Sequence, residues 1–200
     1  MHRPVPHAAH PGTPEAADGS RPAHGPLDPL DPRAALCQAI EALERAQASG
    51  QCWPLAEAHL QIGRCYRALD ALPSALTMID RALSWARATG AADHTVDLLC
   101  ELVETLAEQA QQQERARRGS GRRARDRARD HVFEATGLAA HVADPAWQVT
   151  VLLRLSDVLD HFGDRADATL LQVRALRLTV GRFLPPDRPS AADAAMLQRH

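Results

Sequence analysis

The most strongly charged part of the sequence is a run of arginines between residues 111 and 130, QQQERARRGSGRRARDRARD. Between Glu114 and Asp130, eight arginines stand against three carboxylates, which gives a local net charge of +5. Because the whole chain has a formal charge of −2, the remainder sums to −7, and the arginines create a local field rather than a basic protein. The chemistry open to this arginine segment is anion binding. The candidate binding residues are Arg115, Arg117, Arg118, Arg122, Arg123 and Arg125. The segment also contains Arg127 and Arg129.

Three interpretations of the arginine segment remain open. It is a solvated, mobile connection between helices, it binds nucleic-acid phosphates with a gain from counterion release, or it docks onto an acidic protein surface or anionic lipid. The segment has no aromatic residue to stack on bases and no apolar face to enter a membrane. Good helix formers flank Gly119-Ser120-Gly121, so we expect two helices that overrun the domain and meet at a flexible tip. We call this expected insertion the basic hairpin.

Residue patterns typical of catalysis and metal binding are missing from the sequence. There is no glycine-rich phosphate loop, no G-x-S-x-G and no H-E-x-x-H, and no histidine pairs with a cysteine at metal-binding spacing. We therefore predict that the chain is not an enzyme and uses no cofactor or metal. The four cysteines are expected to be buried, reduced thiols: Cys37, Cys52, Cys65 and Cys100.

The composition favours one all-α domain. Apolar residues make up 45% of the 200 residues, enough for a core, whereas aromatic residues make up only 4%, which argues against an all-β fold. No apolar stretch is long enough to span a bilayer, and the first residues lack the apolar region of a secretory signal. We therefore expect a cytoplasmic protein.

Proline density divides the chain into three parts. Residues 1–30 contain seven prolines with histidines between them and predict a disordered tail, residues 31–183 predict a helical domain, and residues 184–200 predict a proline-broken tail. Asp31-Pro32 and Asp144-Pro145 are typical helix starts. Helix ends are predicted at Gly50, Gly90, Gly163 and Gly181. Apolar periodicity predicts seven helices and no strands, near residues 32–48, 54–69, 73–89, 92–112, 122–142, 145–161 and 165–180.

An alanine pair with six residues between its members recurs along the chain. Successive pairs start 40, 53 and 40 residues apart. Alanines seven positions apart lie on one helix face and let a neighbouring helix approach closely. The pairs are Ala35/Ala42, Ala75/Ala82, Ala128/Ala135 and Ala168/Ala175.

With these alanines, the chain resembles the tetratricopeptide repeat over roughly residues 32–181. The first full repeat has His59 in place of the family's tryptophan, and it matches at Ile62, Gly63, Tyr66, Ala75, Ile79 and Ala82. The middle repeat has halves 16 residues further apart and matches at Val96, Leu99, Cys100, Val103, Ala128, Val132 and Ala135. The third has Gln172 where an apolar residue is expected, and it matches at Leu152, Leu155, Ser156, Leu159, Gly163, Ala168 and Ala175. The resemblance implies an all-α helical-hairpin solenoid of about three long repeats, preceded by an N-terminal capping helix.

The same resemblance implies a ligand groove lined by the first helix of each repeat. Carried over by spacing, its candidate residues include two arginines followed by five carboxylates: Arg64, Arg67, Asp97, Glu101, Glu104, Asp157 and Asp160. Crowded carboxylates repel one another unless a basic partner is present, so this pattern favours a basic or mixed-charge protein segment as ligand. Charged, solvated helix faces are common, and an intramolecular contact with the basic hairpin is an alternative.

The function predicted from these features is a non-catalytic protein–protein interaction scaffold or adaptor. The resemblance places it in bacterial signalling or regulation. The alternative is a nucleic-acid-associated protein that uses the basic hairpin. Self-assembly is a further possibility, because a short solenoid has two open ends.

Overall fold

In the computed structural model, residues 31–116 and 121–183 are described, and they form seven α-helices with no strand among them. The all-α prediction is confirmed. The predicted tails at 1–30 and 184–200 lie outside the described residues, as do Arg117 and Arg118. The helices are α1 (Pro32–Ser49), α2 (Cys52–Ala68), α3 (Leu72–Thr89), α4 (Ala92–Arg115), α5 (Arg122–Ala139), α6 (Pro145–His161) and α7 (Arg165–Phe183).

Aspartate caps begin two of the helices, as the sequence predicts. The Asp31 carboxylate accepts a hydrogen bond from the Arg33 amide at 3.1 Å. The Asp144 carboxylate accepts hydrogen bonds from the Ala146 and Trp147 amides at 2.9 and 3.2 Å. These bonds satisfy first-turn amides that have no acceptor within their own helix.

Four predicted helix boundaries are wrong by two or three residues, and one of them is the end of α4, which extends to Arg115 instead of residue 112. Helix α2 begins two residues before Pro54, because first-turn amides have no partner within the helix and proline there costs no hydrogen bond. Helix α5 ends at Ala139 instead of residue 142, where the chain tightens into turns with bonds from His141 to Leu138 and from Val142 to Ala139. Gly181 lies inside α7, since a glycine that keeps a right-handed conformation weakens a helix without ending it.

The helices pack as consecutive antiparallel hairpins. The extensive contacts are α2 with α3, α4 with α5, and α6 with α7, while α1 packs against α2 and α3 packs against α4. Helix α4 also contacts α6, so first helices of successive hairpins are neighbours. A continuous apolar core runs from α2 to α7, and two smaller clusters lie beneath α1. This arrangement is a helical-hairpin repeat.

Small residues allow the helices of each hairpin to approach closely. Both members of the alanine pairs in α3, α5 and α7 are at most 2% exposed. At the corresponding position of the three first helices stand Gly63, Cys100 and Ser156, all buried. A Cβ atom placed on Gly63 would lie 2.8 Å from Ile79 Cγ1 and 3.3 Å from the Ala75 carbonyl oxygen. The α2–α3 approach therefore requires glycine at residue 63.

Helix α1 follows a different register from the one predicted. Ala39 and Ala46 are its buried alanines, whereas Ala35 and Ala42 are half-buried and Ile40 is exposed. The two sets are one turn apart and have the same seven-residue spacing. The choice between them is made by packing on α2, where Ala39 lies in a cluster with Ile62 and Cys65.

Replacing Gly63 with alanine should destabilise the protein, because the new methyl group has no room between α2 and α3. We expect a loss of about 2 kcal/mol in the free energy of unfolding, typical of an overpacked core. The measurement is urea denaturation followed by circular dichroism.

The matched control is Gly137→Ala, which is also within a helix but has nothing within 4 Å of the added Cβ. This substitution should raise stability by up to about 1 kcal/mol, because alanine favours helix over glycine. Equal effects at the two positions would contradict the close approach at Gly63.

Candidate protein-binding face

The groove residues predicted from the sequence lie on α2, α4 and α6. The structure brings four of them together, Arg64 and Arg67 from α2 with Glu101 and Glu104 from α4. Asp97 sits one turn before Glu101 on α4, whereas Asp157 and Asp160 are exposed on α6. The predicted set therefore divides into a paired part and an exposed part.

Glu101 is the centre of the paired part. Its carboxylate accepts a hydrogen bond from Arg64 at 2.7 Å, and Arg67 Nη1 lies 3.6 Å from its second oxygen. From the opposite side, Arg154 of α6 lies 3.8 Å from Glu101 and donates a hydrogen bond to Glu104 at 2.9 Å. Arg67 also binds Glu108, with contacts of 2.6 to 3.0 Å.

These contacts form one arginine–glutamate network, made of Arg64, Arg67, Arg154, Glu101, Glu104 and Glu108. Its three positive and three negative charges balance. The interpretation that all of these carboxylates need an external basic partner is therefore wrong for Glu101 and Glu104, because arginines of neighbouring helices neutralise them.

Arg154 and Glu108 were not among the predicted residues. Arg154 lies two positions before the buried Ser156. It is not at one of the positions that the tetratricopeptide resemblance implies to be ligand-facing. Glu108 lies seven residues after Glu101 and so continues the same face of α4. That spacing is a signal that could have identified Glu108, whereas Arg154 required the position of α6.

The electrostatics of Glu101 follow from its surroundings. Its side chain is only 12% exposed. Burial alone would raise the pKa of this carboxyl, but the hydrogen bond from Arg64 and the positive charges of Arg64, Arg154 and Arg67 outweigh burial and lower the pKa. Glu101 is therefore ionised at neutral pH, and it ties α4 to both neighbouring first helices.

Aromatic side chains mark the amino-terminal ends of the three first helices. Trp53 of α2 stacks on His94 of α4 with ring centroids 3.8 Å apart. The Trp147 indole of α6 donates a hydrogen bond to the Asp97 carboxylate at 3.2 Å. Asp97 thus joins α4 to α6. The rings of Trp53, His94 and Trp147 are half-buried and contribute to packing between the helices.

Helix α6, the first helix of the third hairpin, presents a different surface. Leu153, Asp157 and Asp160 of α6 are exposed, and the two aspartates form no ion pair with any other residue in the described ranges. Asp157 and Asp160 occupy the positions that Glu101 and Glu104 hold on α4. Among the described residues, no further first helix lies beside α6 to supply arginines to them. We call Leu153, Asp157 and Asp160 the α6 strip.

The arginine segment is more strongly engaged than the sequence indicates. Arg129 binds Asp164 through two hydrogen bonds of 2.6 and 2.7 Å. The hydrogen bond and the charge of Arg129 lower the pKa of Asp164. Arg125 forms an ion pair with Glu114, and Arg127 lies 3.4 Å from Asp80 of α3. These three arginines therefore hold α5 against other parts of the fold.

The remaining described arginines of the segment form no ion pair outside it, and Arg122 lies 3.7 Å from Asp126 within α5. Arg122 has a side chain that is 84% exposed, and Arg115 and Arg123 are also exposed. The start of α5 packs closely on α4, since a Cβ atom on Gly121 would lie 2.8 Å from the Ala110 carbonyl oxygen. Gly121 is thus a packed contact point. The start of α5 therefore packs against α4, and the described part of the expected basic hairpin does not stand apart from the domain.

Other chemical groups are scattered through the described residues. Within residues 31–116 and 121–183 there is no cluster of three histidine, cysteine or carboxylate side chains that could hold a metal ion. The prediction of buried cysteines holds for Cys65 and Cys100, but Cys52 is half-buried and Cys37 is exposed on α1. In the same part of the chain, no helix combines the length and apolarity needed to cross a membrane.

Comparison with known proteins shows a distant likeness to solved structures. No family model matches the chain, and no curated protein matches it. The chain is similar to a solved structure, the crystal structure of the apo form of RapI, with 19% sequence identity and a TM-score of 0.38. The similarity covers 76% of this chain and 64% of that chain, so the present chain spans somewhat less than two thirds of the length of that protein.

Replacing Glu101 with glutamine should destabilise the fold, because it leaves the arginines of the network without their central charge. We expect a loss of about 2 kcal/mol at neutral pH. A carboxyl with a lowered folded-state pKa adds stability above the ordinary glutamate pKa and loses it as the pH falls through the lowered value. The difference between wild type and Glu101→Gln should therefore shrink on acidification, as measured by urea denaturation at several pH values.

The control is Asp157→Asn, which removes an exposed carboxylate at the same register position on α6. Its effect should stay within about 0.5 kcal/mol. A Glu101→Gln protein as stable as the wild type at neutral pH would contradict a stabilising role for the network.

Proposed function

We propose that the chain is a non-catalytic interaction scaffold of the tetratricopeptide type that binds a basic or mixed-charge protein segment. The observation that carries this proposal is the α6 strip, where exposed Leu153 is followed on the same helix face by Asp157 and Asp160, two carboxylates with no ion pair among the described residues. On α4, Glu101, Glu104 and Glu108 are already paired with arginines of the network. The proposed ligand therefore binds at the α6 end.

The chemistry of the strip indicates how such a segment would bind. Leu153 offers an apolar contact, while Asp157 and Asp160, three residues apart on one helix face, can each pair with a basic side chain. The supporting helices are preformed, so little ordering entropy is lost on binding. The carboxylates would fix the register and raise the association rate. Consistent with the resemblance, we place this activity in cytoplasmic bacterial regulation.

A random peptide library selected on the immobilised full chain tests the proposal. We expect enrichment of peptides that carry basic residues beside an apolar one. The double charge reversal Asp157→Arg/Asp160→Arg should weaken the selected peptides by about tenfold or more, because attraction becomes repulsion. Isothermal titration calorimetry with a selected peptide measures the change in affinity.

The matched control is Glu41→Arg/Glu44→Arg, which reverses two exposed carboxylates at the same spacing on α1. It makes the same change in net charge away from the α6 strip and should leave the affinity unchanged. Equal losses in the two variants would mean that only overall charge matters, and enrichment of acidic peptides would contradict the proposal directly.

Nucleic-acid binding is tested in parallel with a fluorescently labelled duplex. With Arg125, Arg127 and Arg129 held in ion pairs, we expect little binding at physiological salt. Phosphate binding by the remaining arginines would fall steeply between about 50 and 200 mM salt. Binding with that salt dependence, lost on Arg122→Glu/Arg123→Glu, would move the function to the arginine segment.

A further inference from the structure

The outer face of α7 carries a continuous row of exposed apolar side chains. They are Leu170, Val173, Leu176 and Val180, with exposed fractions of 66%, 40%, 61% and 42%. At 100° per residue, these positions fall within about 120° of the helix circumference and form one stripe. We call them the α7 stripe. Apolar patches of this kind on a helix are typical of contact surfaces.

Comparison with the other second helices shows that the stripe is specific to α7. Aligned on the alanine pairs, Leu170 corresponds to Thr77 in α3 and to Asp130 in α5. Val173 corresponds to Asp80, and Val180 corresponds to Arg87. Asp80 and Arg87 form ion pairs with Arg127 and Glu134 of α5. Helix α7 thus carries apolar residues at positions where α3 carries the polar or charged residues Thr77, Asp80 and Arg87.

Leu176 indicates that the stripe lacks a helix packed against it. Its counterpart in α3 is Leu83, which is 2% exposed and lies in the core shared with α4. Leu176 has the same side chain at the same register position, but no described helix follows α7 to cover it. The side chain is therefore suited to burial against another helix.

The order of residues in the stripe is self-complementary. Leu170 and Leu176 stand three positions before and three after Val173, and Ala166 and Val180 stand seven before and seven after it. If two copies of α7 cross antiparallel on a twofold axis at Val173, each Leu170 meets the other copy's Leu176. A twofold contact requires this kind of symmetry, because the same patch serves both sides.

The charges beside the stripe are compatible with this pairing. In the same antiparallel arrangement, Arg177 faces Thr169 of the second copy, and Arg174 faces Gln172. No arginine opposes another arginine, so the pairing carries no direct repulsion.

The area available suits a weak, concentration-dependent dimer. Helix α7 has 19 residues, which gives a length of about 28 Å. The stripe covers about a third of the circumference, which for a helix about 11 Å across amounts to roughly 320 Å² per chain along that length. The total of about 650 Å² lies in the size range of weak, transient protein–protein contacts.

We infer that the α7 stripe is the interface of a twofold-symmetric homodimer in which two α7 helices cross antiparallel at Val173. This surface lies on a different helix from the α6 strip, so a dimer carries two copies of the proposed ligand site. Two linked sites bind a multivalent partner with greater avidity than one.

Sedimentation velocity of the full chain tests the inference. Between about 1 and 100 µM, wild type should shift from monomer to dimer, as expected for mass action on a micromolar contact. Val173→Asp should remain monomeric over the whole range. The matched control is Phe133→Asp, which changes an exposed apolar residue at the same register position on α5 and should dimerise like wild type.

A complementary pair of variants tests the geometry. Leu170→Lys and Leu176→Asp should each be monomeric alone, because a charge would be buried against leucine. Mixed together they should form a heterodimer, since the introduced lysine of one chain faces the introduced aspartate of the other. Circular dichroism confirms that each variant is folded.

Crosslinking locates the axis. In a Cys37→Ser background, which removes the exposed cysteine, Val173→Cys should form a disulfide-linked dimer under mild oxidation, whereas Phe133→Cys should not. Wild type that remains monomeric at about 100 µM, or a dimer that survives Val173→Asp, overturns the inference. In a monomer, slow reaction of the Val173→Cys thiol with a soluble reagent would show that residues of the same chain cover the stripe.

Discussion

The close approach of the two helices in each hairpin is the constraint on which the rest of this structure depends. The approach is possible because alanines at a seven-residue spacing on α3, α5 and α7 face a small residue on the preceding helix. Gly63 shows how strict this requirement is, since a single methyl group there would overlap Ile79. With the axes this near, each pair buries its apolar faces together. The first helices are then left side by side, with their charged faces aligned.

That alignment explains why the same type of residue has different roles at different positions. On α4, Glu101 and Glu104 are flanked by α2 on one side and by α6 on the other, and arginines of both helices reach them. On α6, the corresponding Asp157 and Asp160 have a described first helix on one side only, and they are exposed. The same argument applies to Leu83 and Leu176 on the second helices. Interior repeats use these positions for cohesion, whereas the last repeat leaves them available for contact with another molecule.

The arginine segment shows how local charge and available charge differ. Its composition indicates an isolated basic surface, but three of its arginines pair with carboxylates from α3, from the end of α4 and from the turn after α6. Asp80 and Asp164 belong to the acidic remainder of the chain, which the net charge already revealed, whereas Glu114 lies within the segment itself. Exposed ion pairs contribute little stability one at a time. Together they still orient α5, and Arg115, Arg122 and Arg123 are the described arginines of the segment that form no ion pair with another helix.

The sequence by itself determined the helices and most of their bounds, because apolar periodicity, aspartate caps and glycine stops are local signals. It also determined the repeat, since alanine spacing follows directly from helix geometry. Only the tertiary structure decided that Ala39 and Ala46, rather than Ala35 and Ala42, face the core in α1, because two registers one turn apart have the same spacing. Only the tertiary structure brought Arg154 to Glu104 across 50 positions of sequence. Whether a charge is paired or exposed depends on which helix lies beside it, and that is a property of packing that no single helix carries in its own sequence.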